Sequence, residues 1–220
     1  MSSLLSANNI NKSFSLEDSV IHVLKNISLT IEPAEFVAIM GKSGSGKSTL
    51  ISILAGLDVP DSGQVLLANE EISNLSEDAL ALKRQTDISF VFQSFHLIPT
   101  LTVAENIGFP LKLSGNHSEV TVNELLQKVE LKHRRNSFPH QLSGGEKQRT
   151  AIARALITQP KILFADEPTG NLDEKNAESI LQLLIDLQQE FNTALVIVTH
   201  DPALAKIANR TINIVDGFVV

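Results

Sequence analysis

The segment that most constrains the fold is a glycine-rich loop, GKSGSGKST, at residues 41–49. It follows an apolar run, Phe36–Met40, and precedes a segment with apolar residues at helical spacing that stops at Gly56. A run that is apolar on both faces is typical of a strand buried in a parallel sheet. A buried strand, a glycine-rich loop and a helix in this order predict an α/β fold with a phosphate-binding loop.

Each residue type in this loop has a physical task. Gly44 and Gly46 let backbone N–H groups surround phosphate oxygens, and the N-terminus of the following helix adds a favourable dipole. Lys47 would reach the β- and γ-phosphates, and Ser48 would ligate Mg²⁺. A Gly-Ser turn with a solvated lysine is the structural alternative. The expected nucleotide contacts are Gly41, Lys42, Ser43, Gly44, Ser45, Gly46, Lys47, Ser48 and Thr49.

Two further aliphatic runs, residues 162–165 and 195–198, are followed by Asp166 with Glu167 and by Thr199 with His200. Together with Phe36–Met40 they predict a parallel sheet whose carboxyl ends share the ligand-binding edge. Asp166 is placed to bind Mg²⁺, and Glu167 to act as the general base that polarises an attacking water. The alternative for both carboxylates is an acidic N-cap of the next helix.

The ends and the middle of the chain have different patterns. Ile27, Leu29 and Ile31 alternate with polar residues, which predicts an N-terminal antiparallel sheet. Asp216-Gly217 lies between apolar residues and predicts a terminal hairpin. From about residue 72 to 158 the pattern is helical, so a helical insert is expected there.

The sequence LSGGEKQR, residues 142–149, begins one of these helices. Ser143 and Glu146 have the spacing of a capping box, which would be a complete structural explanation for both. That explanation does not require Gly144 and Gly145, which lower helix propensity but bare the first-turn N–H groups for an anion. Both interpretations are compatible, because the Ser143 hydroxyl can donate to a phosphate while accepting from the amide.

Composition excludes several classes of protein. The chain has no cysteine, so disulfides, thiolate zinc sites and cysteine nucleophiles are excluded. Its net charge of −7 disfavours a nucleic-acid-binding surface, and we expect no nucleic acid partner. With 43% hydrophobic residues among 220, a globular domain is expected over residues 1–220. Neither a signal peptide nor an apolar run of about 20 residues is found, so no membrane span is expected.

These motifs together resemble those of the ATP-binding-cassette (ABC) ATPases. LSGGE is close to the family signature, and Gln93 in VFQSF, Asp173 in NLD and His200 in VTHD stand in family order. The resemblance implies an ABC-type P-loop ATPase with a RecA-like core, an N-terminal antiparallel β-subdomain and a helical signature subdomain. It places the core at about 1–71 and 159–220, and the helical subdomain at about 72–158.

The same resemblance implies a composite ATP site in a head-to-tail dimer. Each ATP would be held by Lys47 of one copy and by Ser143, Gly144, Gly145 and Glu146 of a second copy. Glu167, His200 and Lys47 would be catalytic, and Asp173 would form the D-loop. Ser48, Gln93 and Asp166 would hold Mg²⁺. Phe14 aligns with the aromatic residue that stacks on adenine, although it could instead pack under the β-subdomain.

In the family, the region matching residues 94–111 receives a membrane partner, with a locally packed loop as the alternative here. The chain is most similar to the group that contains LolD, MacB, FtsE and YbbA, and to YbbA-like members above all. The implied protein is peripheral, on the cytoplasmic face of the plasma membrane, and drives a separate permease in export, lipoprotein release or mechanotransmission. A non-transport ABC ATPase and an FtsE-like regulator of a cell-envelope complex are the alternatives.

Two classes outside this family are less consistent with the motifs. A P-loop kinase of small metabolites would not need LSGGE. A nucleotide-binding module without catalysis would be expected to lack Lys47, Glu167 or His200, and all three are present.

Overall fold

The structure is a computed structural model that describes residues 3–16, 19–115 and 118–220. Two compact units are found: one contains the described residues up to Arg84 together with Ala194–Val220, and the other contains Gln85–Thr193. The segment predicted to be helical, about 72–158, is divided between these units. Its status as a separate subdomain therefore stays a prediction.

The elements are numbered here in chain order. The strands are β1 (Leu5–Leu16), β2 (Ser19–Ile31), β3 (Phe36–Met40), β4 (Ser62–Leu67), β5 (Glu70–Glu71), β6 (Ile88–Val91), β7 (Ile162–Asp166), β8 (Ala194–Val198), β9 (Arg210–Val215) and β10 (Phe218–Val219). The α-helices are α1 (Lys47–Leu54), α2 (Glu77–Thr86), α3 (Val103–Leu113), α4 (Glu119–Lys128), α5 (Gly144–Leu156), α6 (Glu174–Phe191) and α7 (Pro202–Ile207). Short 3₁₀ turns cover Lys132–Arg134 and Pro139–Gln141.

An antiparallel sheet in the order β2-β1-β4-β5 forms one part of the first unit. Leu5 pairs with Ile31 on one side and with Leu67 on the other, and all three side chains are buried. Ser28 and Thr30 are exposed between buried neighbours. The predicted N-terminal antiparallel sheet, with one buried face, is confirmed.

The first unit also contains the parallel strands that lead to the P-loop. Strand β3 lies between β8 and β9 and is parallel to both. Its residues 36–39 are buried, as expected for a strand covered on both faces. Strands β9 and β10 form the predicted terminal hairpin, in which Asp216 and Gly217 have φ angles of 49° and 85°. Two successive positive φ values are what a tight type I′ hairpin turn requires.

In the second unit, β6 and β7 are parallel, with Ile88 opposite Ile162 and Val91 opposite Ala165. Helix α5 packs against α3, α6 and β6. Strand β6 lies inside the segment that was predicted to be helical, so that prediction is wrong for Ile88–Val91. The run is too short to reveal its periodicity in the sequence. Among the described residues, no helix combines the length and the apolar character needed to cross a membrane.

Candidate active site

The P-loop lies between β3 and α1 in the first unit, and its glycines have different structural roles. Gly46 has a φ of +100°, and a Cβ there would lie 2.8 Å from the carbonyl oxygen of Val23. Gly44 has a φ of +78°, but a Cβ there would meet no atom within 4 Å. Gly46 is therefore required by close packing and by conformation, whereas Gly44 leaves open space above the loop.

The polar groups of the loop fit a phosphate. Lys47 is buried, and its Nζ donates to the carbonyl oxygens of Gly41 and Lys42, both at 2.9 Å. The Oγ of Ser45 is buried and has no hydrogen-bond partner among the described residues. Buried hydroxyls are normally hydrogen-bonded. An anion could accept hydrogen bonds from the Lys47 ammonium group, whose donors can rotate, and from the Ser45 hydroxyl, which has no protein partner among the described residues.

Two more predicted site residues belong to this unit. Phe14 is 44% exposed, pairs with Ile21 across the β1–β2 ladder, and has the Nζ of Lys12 at 5.4 Å from its ring centroid. His200 is exposed and follows β8, next to the buried Thr199, whose Oγ1 accepts a hydrogen bond from the Asp201 N–H at 3.0 Å. Adenine stacking by Phe14 and a catalytic role for His200 stay predictions.

In the second unit, Gln93 and Glu167 converge on Gly170. A Cβ added to Gly170 would lie 2.9 Å from Gln93 Nε2 and 3.3 Å from Glu167 Oε2. Glu167 has a φ of 43°, an uncommon conformation for a residue with a side chain, and it follows Asp166 at the end of β7. Strain of this kind is often found at functional sites. The Glu167 carboxylate and the Gln93 amide are therefore close neighbours in the fold.

Asn171 and Asp173 organise the segment that follows. The Asn171 Nδ2 donates to the carbonyl oxygen of Gln93 at 3.0 Å. Asp173 is the N-cap of α6: its Oδ1 accepts from the Asn176 N–H at 3.1 Å, and its Oδ2 accepts from Asn176 Nδ2 at 2.6 Å. These bonds lower the pKa of Asp173, and the bond from the Asn176 side chain contributes most. The sequence placed Asp173 in the NLD motif, but the bond from Asn171 to Gln93 was missed.

The signature segment begins α5 with the predicted capping box, which is confirmed. Ser143 Oγ accepts from the Glu146 N–H at 3.3 Å, and Glu146 Oε2 accepts from the Ser143 N–H at 2.8 Å. A Cβ on Gly144 would lie 3.2 Å from Leu172 Cδ2, and one on Gly145 would lie 3.1 Å from Asn176 Oδ1. Tight packing therefore gives both glycines a structural reason that the sequence did not reveal.

Glu146 also pairs with a residue that the sequence analysis missed. Arg134 Nε donates to Glu146 Oε1 at 2.8 Å, and His133 Nε2 lies 3.8 Å from the same oxygen. Burial alone would raise the pKa of Glu146, but the bonds from Ser143 and Arg134 outweigh it and lower the pKa. The only sequence signal for this pair was the basic run KHRR shortly before LSGGE.

The segment after Gln93 is anchored by two polar side chains, and sequence reasoning missed both. The Arg154 guanidinium, on α5, donates to the carbonyl oxygens of Phe95 and His96 at 3.0 and 2.6 Å. Phe95 and His96 have φ angles of 60° and 46°, and burial lowers the pKa of Arg154. Asn106, on α3, is fully buried and makes four hydrogen bonds to residues 98–102. The loop is therefore built in a defined conformation.

Comparison with known proteins decides the family. The ABC transporter family matches residues 24–170. The chain belongs to this family. The predicted ABC-type α/β fold is thereby confirmed, and the structural comparison supports it independently.

Individual relatives cover the whole chain. The lipoprotein-releasing system ATP-binding protein LolD of Acinetobacter baylyi is 47% identical over 99% of this chain and 97% of that protein. The macrolide export ATP-binding/permease protein MacB of Chlorobaculum tepidum is 47% identical over 96% of this chain and 33% of that protein. The dimeric, post-hydrolysis structure of the ATP-binding cassette MJ0796 bound to ADP and Pi has a TM-score of 0.90, with 43% identity over 98% of this chain and 96% of that one.

These relatives agree with the predicted LolD and MacB group. The narrower YbbA-like assignment stays a prediction.

Proposed function

We propose that this chain is the ATP-binding and ATP-hydrolysing subunit of an ABC transporter complex. It dimerises with a second copy on binding ATP and drives a conformational change in a separate membrane permease. The work done by the permease would be export, lipoprotein release or mechanotransmission. The protein would be peripheral, on the cytoplasmic face of the plasma membrane.

The observation that carries the hydrolytic part is the convergence of Gln93 and Glu167 on Gly170. A general base must reach the water that it activates, and an amide beside it can orient the same water. Glu167 has a left-handed backbone conformation and directly follows β7, whose residues 162–165 are buried. A position on the solvent-exposed face of a strand therefore does not account for its carboxylate. Together these features support Glu167 as the base and Gln93 as a neighbouring polar ligand.

The chemical roles follow from the groups present. Lys47, the loop N–H groups and the Ser45 hydroxyl would bind the phosphates of ATP and offset their charge. Glu167 would accept a proton from the attacking water while the water oxygen bonds to the γ-phosphorus. The bond from the γ-phosphorus to ADP would break, and ADP would leave. Ser48, Gln93 and Asp166 have the hydroxyl, amide and carboxylate oxygens that suit Mg²⁺. When bound, Mg²⁺ would neutralise phosphate charge, and His200 would serve as a further polar group.

Two interfaces belong to the proposal. The exposed Ser143 at the start of α5 would meet the ATP held by Lys47 of a second copy. The segment at residues 94–111, fixed by Arg154 and Asn106, would receive the permease. A loop with a defined conformation is a better docking surface than a mobile one, because less conformational entropy is lost on binding.

The test of catalysis is phosphate release by purified Glu167→Gln protein. Loss of the base should reduce turnover by at least about 100-fold, while ATP-driven dimerisation remains. Glu174→Gln is the matched control, since Glu174 is an exposed carboxylate in the first turn of α6. Wild-type turnover by the Glu167→Gln protein would refute the assignment.

A further inference from the structure

The signature segment carries a carboxylate where the proposed function requires an anion to bind. Glu146 Oε2 accepts a hydrogen bond from the Ser143 N–H at 2.8 Å, so its carboxylate is held at the N-terminus of α5. The same helix end is proposed to meet the ATP of a second copy. Two anions at one helix end repel each other, and partial burial strengthens the repulsion.

This carboxylate is ionised at neutral pH. Although burial opposes ionisation, hydrogen bonds from the Ser143 amide and the Arg134 guanidinium lower the pKa of Glu146 below its ordinary value. Its side chain is only 19% exposed. Solvent therefore provides limited screening of its charge.

Arg134 supplies the counter-charge directly. Its Nε donates to Glu146 Oε1 at 2.8 Å, so the two carboxylate oxygens have separate partners, Arg134 and Ser143. The Arg134 side chain is 41% exposed. Within the described part of the chain, its other guanidinium N–H groups have no hydrogen-bond partner. His133 lies near the same oxygen but is 67% exposed, which weakens its contribution.

We propose that Arg134 is a positioning residue for nucleotide binding: it neutralises Glu146, so that the signature segment can approach the triphosphate held by a second copy. The inference rests on the proposed function, because it requires the signature segment to act in trans. Arg134 acts through Glu146, and its effect should disappear when Glu146 has no charge.

A double-mutant cycle in the Glu167→Gln chain tests this dependence. The measured quantity is the ATP concentration that gives half-maximal dimerisation, followed by light scattering or sedimentation. Arg134→Ala should raise this concentration about tenfold, and Arg134→Lys should raise it less because the charge is kept. With Glu146→Gln already present, adding Arg134→Ala should change it less than about twofold.

The matched control is Arg135→Ala, because Arg135 is the adjacent arginine but pairs with Glu119 at 3.0 Å. It should leave the half-maximal concentration unchanged. If Arg134→Ala has no effect, or has the same effect with and without Glu146→Gln, the inference is overturned: in the second case Arg134 only stabilises its own turn. If the Glu167→Gln parent does not dimerise with ATP, the proposed function fails, and the inference fails with it.

Discussion

Replacing Asn106 by alanine should destabilise the protein by a predictable amount. Asn106 is fully buried on α3, where its Oδ1 accepts from the Ile98 N–H at 2.8 Å. Its Nδ2 shares two hydrogens among the carbonyl oxygens of Ile98, Leu101 and Thr102, at 3.1, 2.9 and 3.0 Å. One side chain therefore contacts four backbone groups of the segment proposed to contact the permease, of which the carbonyls of Ile98 and Thr102 also accept backbone N–H bonds.

The magnitude follows from these bonds. The two hydrogens of Nδ2 and the bond accepted by Oδ1 allow about three full hydrogen bonds, which at about 0.5–1.5 kcal/mol each give roughly 1.5–4.5 kcal/mol. The backbone of residues 98–102 is half-buried or exposed, so water can replace part of what is lost. Alanine also recovers about 0.6 kcal/mol of helix propensity relative to asparagine. We expect Asn106→Ala to lower the free energy of unfolding by about 2 kcal/mol.

The assay is urea unfolding followed by circular dichroism. Asn74→Ala is the control, because Asn74 is exposed and its amide donates to the side chain of Glu71 at 2.6 Å. That substitution should change the free energy of unfolding by less than about 0.5 kcal/mol. A loss below about 1 kcal/mol for Asn106→Ala would refute the reasoning, since it would mean that the bonds of this side chain are not needed to hold the segment.

Three further predictions concern the glycines, a buried amide and a helix cap. Gly46→Ala should destabilise the protein by more than about 2 kcal/mol, because it adds a clash with Val23 to an unfavourable φ. Gly44→Ala should have only the conformational cost of about 1–2 kcal/mol. Equal losses of stability in thermal unfolding would contradict this difference. Gln148 is fully buried, and neither polar atom of its amide has a partner among the described residues, so Gln148→Met should raise the free energy of unfolding by about 1 kcal/mol in urea titrations. A loss of stability would mean that the amide is satisfied. The hydrogen bonds from Asn176 hold the pKa of Asp173 below its ordinary value. Its ionised form therefore stabilises the fold above about pH 4, and this contribution disappears as the pH falls through the lower folded-state pKa. The melting temperatures of wild type and Asp173→Asn should therefore converge in acid, and a difference that stays constant with pH would count against this cap.

The sequence predicted those features that depend on local pattern. The P-loop, the buried strand before it and the capping box at Ser143 are short-range signals, and each lies where the pattern indicated. Features that depend on distant pairing were missed. Arg154 meets Phe95 across 59 positions, and Asn171 meets Gln93 across 78. No periodicity encodes such contacts, because they exist only once the helices and strands have packed.

The signature glycines illustrate a subtler limit. From the sequence, the capping box did not account for these glycines, which lower helix propensity but expose first-turn N–H groups to an anion. In the fold, a side chain at Gly145 would meet Asn176 at 3.1 Å. Close packing and access for an anion both favour glycine at this position, and the sequence alone cannot show which of the two requires it.

The central claim is that two copies share each ATP site, and complementation tests it most directly. Lys47→Ala and Ser143→Arg chains, each also carrying Glu167→Gln, are mixed in equal amounts with labelled ATP and passed through a sizing column. Each variant alone should retain no ATP, since every site in its homodimer lacks one essential group. The mixture should form dimers that retain about one ATP per two chains, because one site combines an intact Lys47 with an intact Ser143 from the other copy. A mixture that retains none, like the separate chains, would contradict the shared site.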